Sequence, residues 1–268
     1  MSDYTDIQVE IDDPVALIRL NRPDKLNAFT YHTLAEIRAA IDAAAADTRV
    51  VGIIITGNGR AFSAGLDSQT LMEVTSRDAP LENSAPDSAE LPGIFSYLLD
   101  VPKPVIAAVN GVTAGGGLIL ALMSDLRIAS RDAAFTTVFL KRGLVSEHGS
   151  SWLLPRLVGT GHALDLLWMS DKIDAETAYS LGLVEKLVDP ERLLDVARDY
   201  IKRLAVTSAP AAIAATKKLV YRHLGVDYEA ALREAEVVQN EFVAAPDAAE
   251  GAAALIEKRT PKFKRLGD

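Results

Sequence analysis

The chain has 268 residues, 49% of them hydrophobic and 24% charged, a composition typical of one folded globular protein rather than a disordered or fibrous chain. Its formal net charge of −9 repels phosphate backbones and anionic lipids, so neither nucleic acid nor a membrane is expected as a partner. The absence of cysteine excludes disulfides, thiolate metal sites and a cysteine nucleophile. The acidic start and the lack of any apolar run near ~18 residues predict a cytoplasmic location.

The first predicted elements are a β-hairpin and a helix. Residues 7–11 and 15–20 are rich in β-formers and flank Asp12, Asp13 and Pro14, which are turn residues. Thr30 is a good N-cap for the helix that follows, because apolar residues then recur at helical spacing at Leu34, Ile37, Ile41 and Ala44.

The middle of the chain alternates buried strands with helices. Residues 50–56 and 104–109 are unbroken apolar runs rich in Val and Ile, as expected of strands covered on both faces. Further apolar runs at 125–129 and 183–188 make the first two-thirds an α/β fold with repeated β-β-α turns. Acidic residues among Pro, Ser and Asn in residues 68–93 predict a mobile segment or lid.

The last third is helical. From Glu191 onward apolar residues fall at helical spacing, with breaks at Pro210 and Pro246, which predicts about four helices. The chain is therefore divided into a core, residues 1–195, and a C-terminal helical region, residues 196–268.

Two glycine-bearing segments follow the predicted central strands. The first reads FSAGLD at residues 62–67, and the second reads NGVTAGGG at residues 110–117 and opens a helix. Glycines let a backbone approach a ligand, and the first N–H groups of a helix attract an anion because they have no partner within the helix. One such segment could equally serve close helix–strand packing, but two together favour a site.

With these segments the sequence resembles the crotonase superfamily, the enoyl-CoA hydratase/isomerase family. The resemblance covers nearly the whole chain, including residues 22–28 and 152–159. It implies a spiral of repeated β-β-α turns and a C-terminal helical trimerisation region, hence a homotrimer or a dimer of trimers. It also implies an acyl-CoA substrate and no cofactor beyond the CoA thioester itself.

The resemblance assigns roles by position. The N–H groups of Leu66 and Gly116 correspond to the two donors that hold the thioester oxygen as it becomes an enolate. The residues at the adenine end of CoA correspond to Ala28, Ala64 and Asp67. Two C-terminal residues, Lys258 and Phe263, resemble those that reach CoA, often from a neighbouring subunit, although a solvated tail is an equal alternative.

The chain departs from the family's hydratases where these place two glutamates. Those positions hold Ile119 and Phe139, which cannot position a water molecule. Glu147 instead stands where certain isomerases of the family carry an acid, and one carboxyl group suffices to move a proton between two carbons. Apolar Ile119 and Phe139, if they line the site, should desolvate Glu147.

His148 adjoins Glu147, but no pairing is expected, since consecutive side chains usually point apart. The four histidines show no metal-ligand spacing, so no metal site is predicted. The leading hypothesis is an enoyl-CoA isomerase that uses Glu147 as its single acid/base. The alternatives are a hydratase, a dehalogenase-like enzyme, or a non-catalytic acyl-CoA binder.

Overall fold

The computed structural model describes residues 4–76 and 92–267. The strands in this part of the chain are β1 (Ile7–Asp12), β2 (Val15–Leu20), β3 (Gly52–Gly57), β4 (Ala61–Ser63), β5 (Val105–Val109), β6 (Val112–Ala114), β7 (Leu126–Ser130), β8 (Ala134–Thr136), β9 (Ile173–Asp174) and β10 (Lys186–Val188). The α-helices are α1 (Tyr31–Ala46), α2 (Ser68–Val74), α3 (Gly116–Met123), α4 (Ser150–Val158), α5 (Thr160–Met169), α6 (Ala175–Ser180), α7 (Leu193–Thr207), α8 (Pro210–His223), α9 (Tyr228–Val243) and α10 (Pro246–Glu257).

The described strands form two sheets. The larger has the order β1-β2-β3-β5-β7-β10, and the smaller has the order β4-β6-β8-β9. Each of the pairs β3–β4, β5–β6 and β7–β8 places its first strand in the large sheet and its second in the small one. A helix follows each pair along the chain, so the predicted spiral of β-β-α turns is confirmed.

The first elements form as the sequence predicts. β1 and β2 pair in antiparallel register from Ile7 opposite Leu20 to Asp12 opposite Val15. Thr30 caps α1 through its side chain, which accepts a hydrogen bond from the N–H of Thr33. The side chain of Thr33 bonds back to the N–H of Thr30, which fixes where α1 begins, directly after Phe29.

Apolar side chains cover both faces of the large sheet. On one face Ile53, Ile55 and Val105 belong to the main core, which includes α1 and α3. On the other face Ile54 and Ile106 pack with residues of α7. The predicted boundary between residues 195 and 196 falls inside α7. On its C-terminal side, Ala197 and Ile201 are buried against the sheet, and Val196, Tyr200 and Ala205 pack beside them.

A buried ionic cluster fastens α8 to the core. The carboxylate of Asp125, at the start of β7, accepts hydrogen bonds from Lys217 Nζ at 2.8 Å and from the Tyr221 hydroxyl at 2.9 Å. It also accepts one from the N–H of Val105 at 2.7 Å. Burial lowers the pKa of the Lys217 ammonium, and the charge of Asp125 opposes this shift. Burial also raises the pKa of the Tyr221 hydroxyl.

The segment predicted to be a mobile lid lies only partly within the described residues. Its first part forms the short helix α2, which Asp67 caps through a hydrogen bond from the N–H of Gln69. Residues 77–91 lie outside the described part of the chain. No helix in the described part is both long enough and apolar enough to cross a bilayer.

Candidate active site

The two glycine-bearing segments contact each other through their backbones. A Cβ placed on Gly65 would lie 2.7 Å from the nitrogen of Gly116 and 2.7 Å from the carbonyl oxygen of Ala114. Gly65 also has a φ of +87°, a left-handed conformation that glycine adopts without strain. Glycine is therefore required at position 65 for two independent reasons, and the contact holds the two segments in a fixed relation.

The N–H groups of Leu66 and Gly116 are available at this contact. Leu66 forms a parallel bridge with Phe29, in which the N–H of Phe29 bonds to the carbonyl of Gly65 and the N–H of Asp67 bonds to the carbonyl of Phe29. The N–H of Leu66 therefore points away from Phe29, because bonding groups alternate along an extended backbone. Gly116 is the first residue of α3, and no residue in the described ranges accepts a hydrogen bond from either N–H.

This pair of donors can stabilise an oxyanion. Both residues are half-buried. A ligand can therefore reach their N–H groups while the surrounding protein excludes part of the water. The dipole of α3 adds positive potential at its N-terminus, and preorganised donors of this kind contribute about 2.7–4 kcal/mol each to a transition state with a developing negative oxygen.

The residues assigned to the adenine end of CoA lie beside this pair. The N–H of Ala64 donates to the carbonyl of Leu26, which brings Ala64 close to buried Ala28. Sequence reasoning missed Arg22, whose guanidinium donates to the carbonyl of Ala28 and lies 3.7 Å from Asp67 Oδ2. In the sequence, the one indication that Arg22 belongs to the site was its position at the start of the segment at residues 22–28. Its side chain is a cation next to a site that is expected to bind an anion.

The loop that carries Glu147 is connected to Gly116 through Gly93 and Ile94. A Cβ on Gly116 would lie 3.5 Å from Ile94 Cδ1, and a Cβ on the adjacent Gly93 would lie 3.7 Å from the Cα of His148. Gly93 and Ile94 therefore span the gap between Gly116, a candidate oxyanion donor, and the loop of the candidate acid.

The expectation that Glu147 and His148 point apart is wrong. His148 Nε2 lies 3.6 Å from Glu147 Oε1. The reason is the backbone of His148, whose φ of +54° is left-handed and turns consecutive side chains toward each other. Burial lowers the pKa of the His148 imidazole, and the Glu147 carboxylate opposes that shift.

Ile119 and Phe139 lie in the hydrophobic core. Ile119 is 0% exposed and Phe139 is 6% exposed, so both fill space beneath the site. The side chain of Glu147 is 42% exposed, so the single chain does not provide the full desolvation expected from these neighbours. A binding role for Ile119 and Phe139 stays a prediction.

Comparison with known proteins identifies the family. The family model described as Enoyl-CoA hydratase/isomerase matches residues 10–266. The chain belongs to this family. A crotonyl-CoA hydratase of Syntrophomonas wolfei is 34% identical over 262 residues, which are 97% of this chain and 98% of that protein. A 1,2-epoxyphenylacetyl-CoA isomerase of Escherichia coli is 33% identical over 258 residues, 94% of this chain and 96% of that one.

A solved structure agrees with this assignment. The enoyl-CoA hydratase subunit I of Geobacillus kaustophilus HTA426 superposes with a TM-score of 0.87 at 34% identity, covering 98% of this chain and 99% of that one. This enoyl-CoA hydratase/isomerase family member is therefore an enzyme of crotonase fold that acts on acyl-CoA. Its relatives carry the names of both hydratases and isomerases, so the family alone does not select the reaction.

The two C-terminal residues assigned to CoA lie away from the other site residues in this enoyl-CoA hydratase/isomerase chain. Phe263 packs against Gly251 of α10, and Arg265 donates to the carbonyl of Arg49 and to Asp13. This tail docks beyond the C-terminal end of α1, whereas Ala28 precedes its N-terminal end, about 24 Å away at 1.5 Å per residue. Within one chain, the tail that carries Phe263 docks at the end of α1 opposite the donor pair, and a CoA role for Lys258 stays a prediction.

Proposed function

We propose that this protein is an enoyl-CoA isomerase that moves a double bond into conjugation with the thioester. The N–H groups of Leu66 and Gly116 hold the thioester oxygen, which lowers the barrier to removing a proton from the carbon next to the carbonyl. Glu147 takes that proton and returns it two carbons along the chain. The observation that carries the proposal is the pair of unpartnered N–H donors at residues 66 and 116, while Ile119 and Phe139, where a hydratase would carry glutamates, occupy the core. Gly93 and Ile94 connect Gly116 to the loop that carries Glu147.

The reaction needs no further group. Moving a proton between two carbons of one substrate changes neither its oxidation state nor its mass, so a CoA thioester and one carboxyl group suffice. Arg22 lies 3.7 Å from both Asp6 and Asp67, so the positive potential for the thioester oxygen comes mainly from the backbone N–H groups and the N-terminus of α3.

A hydratase is the second candidate, and one observation favours it. Hydration of a double bond needs one group to orient water and one to protonate carbon, and His148 lies 3.6 Å from Glu147. Together these two side chains could replace the glutamate pair that the family's hydratases use.

The deciding experiment supplies 3-enoyl-CoA and 2-enoyl-CoA to the same preparation. It follows isomerisation by the ultraviolet absorbance of the conjugated thioester and hydration by the gain of one water in mass. An isomerase converts the first into 2-enoyl-CoA of unchanged mass and leaves the second nearly untouched. Fast addition of one water to 2-enoyl-CoA with slow isomerisation would overturn the isomerase proposal. Binding of both thioesters without turnover would instead identify a non-catalytic binder.

We also propose that the active form is a homotrimer or a dimer of trimers. Large apolar side chains stand exposed on the C-terminal helices, with Tyr228, Leu255 and Ile256 all at least 80% exposed. A neighbouring subunit would cover these side chains and could bring its own Phe263 to the CoA site. Sedimentation velocity at micromolar concentration tests the oligomer, and a monomeric species with full activity would refute it.

A further inference from the structure

A cleft of about 610 Å³ opens between the core and α8, and we call it the α8 cleft. Three apolar side chains from different parts of the chain form its walls: Leu99 from the segment before β5, Met123 from the end of α3 and Trp152 from α4. Clefts of 300–1,000 Å³ are the size that binds small organic ligands in proteins. None of the site residues predicted from the sequence lines this cleft.

Most polar side chains of the α8 cleft are engaged elsewhere. The Tyr221 hydroxyl donates to Asp125, and the Arg222 guanidinium lies 3.0 Å from Glu234. Asp100 and Lys218 are exposed at the rim. An occupant therefore meets apolar wall inside and water-facing charge outside, which suits a hydrocarbon group rather than a charged one.

Trp152 forms a fixed aromatic wall. The Arg156 guanidinium lies 4.1 Å from the centre of its ring, and the Arg156 side chain also donates to the carbonyl of Trp152 one turn earlier in α4. A cation stacked on one face restrains the ring and so reduces the entropy lost when a ligand packs against it.

The α8 cleft begins beside the candidate acid. His148 and Gly149 line it, and a Cβ on Gly149 would lie 2.6 Å from Met123 Cε. Met123 ends the same helix that begins with the donor Gly116, and α3 spans about 10 Å between them at 1.5 Å per residue. An extended chain advances about 1.2 Å per bond, so an acyl group held at Gly116 needs about eight carbons to reach Met123.

We propose that the α8 cleft binds the distal part of the acyl group and selects apolar acyl chains of about eight carbons or more. This inference rests on the proposed function, because the thioester must be held at Leu66 and Gly116 for the chain to point into the cleft. A four-carbon acyl group is too short to reach Met123 and gains nothing from Trp152. Each methylene that enters the cleft strengthens binding about fourfold.

Tryptophan fluorescence tests this directly, because the chain has two tryptophans, Trp152 and Trp168. Trp168 is 65% exposed and lies outside the cleft, so Trp168→Phe leaves Trp152 as the sole reporter. Titrating this variant with CoA, butyryl-CoA, octanoyl-CoA and dodecanoyl-CoA should shift the emission only for the two long chains. Isothermal calorimetry on the same samples should show octanoyl-CoA binding at least tenfold more tightly than butyryl-CoA.

A truncation series supplies the second readout. Trp152→Ala should lower the ratio of octanoyl-CoA to butyryl-CoA affinity at least fivefold, whereas the matched change Trp168→Ala should leave the ratio unchanged. Because the ratio is measured within one variant, a general loss of folded protein does not alter it. Calorimetric binding of octanoyl-CoA without any change in Trp152 emission would overturn the cleft assignment and leave the proposed function intact. Failure of every acyl-CoA to bind would overturn both.

Discussion

Lys217 Nζ lies 2.8 Å from Asp125 Oδ2, and this contact joins α8 to the strand β7 across 92 residues of chain. The Lys217 side chain is 8% exposed, and it also donates to the backbone carbonyl of Leu98 at 2.9 Å. One ammonium therefore ties together a C-terminal helix, a core strand and the segment that borders the α8 cleft.

Lys217→Met should lower the free energy of unfolding by about 3 kcal/mol, because it leaves the largely buried carboxylate of Asp125 without its cation. Lys218→Met is the matched control: Lys218 is the adjacent lysine and is exposed, so its change should stay within about 0.5 kcal/mol. Urea denaturation followed by circular dichroism measures both. Equal effects from the two substitutions would show that the Asp125 cluster adds no stability.

Gly65→Ala should reduce kcat by about 10²-fold or more, because the new Cβ would collide with the nitrogen of Gly116 and displace a proposed oxyanion donor. Gly143→Ala is the control for backbone strain. Gly143 also has positive φ, at +72°, but a Cβ there meets nothing within 4 Å. In either variant an alanine must adopt a left-handed backbone conformation, which costs about 1 kcal/mol of stability. The two variants are therefore compared by their kcat values in steady-state kinetics. Similar kcat values would contradict the assignment of Gly116.

Glu147→Gln should bind acyl-CoA as the parent does and lose about 10²–10⁴-fold in kcat, since an amide keeps the shape and cannot transfer a proton. Calorimetry with octanoyl-CoA and the isomerisation assay with 3-enoyl-CoA measure the two effects. An unchanged kcat would remove Glu147 from the mechanism. His148→Gln, assayed alongside, shows how much of the rate depends on the imidazole next to it.

The stability of the protein should depend on pH through His148. Its pKa is lowered by burial in the folded chain, so the unfolded chain binds the proton more readily. Stability is then retained above the ordinary histidine pKa of about 6.5 and falls as the pH drops below it. His148→Gln removes this component, so urea unfolding from pH 8 to pH 5 should show a smaller loss in the variant. A parallel loss in both proteins would contradict the burial of the imidazole.

The parts of the fold that could be predicted from the sequence are those with local signals. The hairpin before Asn21, the N-cap at Thr30 and the four C-terminal helices each depend on residues within a few positions of one another. The strands of the small sheet are only two or three residues long. They are too short to show the alternation of apolar and polar residues by which a strand is predicted.

The candidate site was predictable to the extent that its chemistry lies in the backbone of two motifs. Leu66 and Gly116 were assigned through the family resemblance that these motifs carry, and the structure brings them together with Ala28 and Asp67. The contact between Glu147 and His148 was missed, because a left-handed φ at a non-glycine residue has no reliable sequence signal. The Asp125 cluster was also missed, since partners 92 and 96 residues apart are joined only by the tertiary fold.

The contact between Gly65 and Gly116 is made by main-chain atoms. It therefore concerns a different part of the proposed chemistry from the side chain that transfers the proton. In the proposed mechanism main-chain groups hold the thioester oxygen, and they are fixed in part by Gly65, where a Cβ would collide with neighbouring backbone atoms. The proposed acid, Glu147, is a side chain on a different segment, between β8 and α4. A substitution at position 147 is therefore expected to change the proposed proton transfer while the main-chain donors keep their geometry.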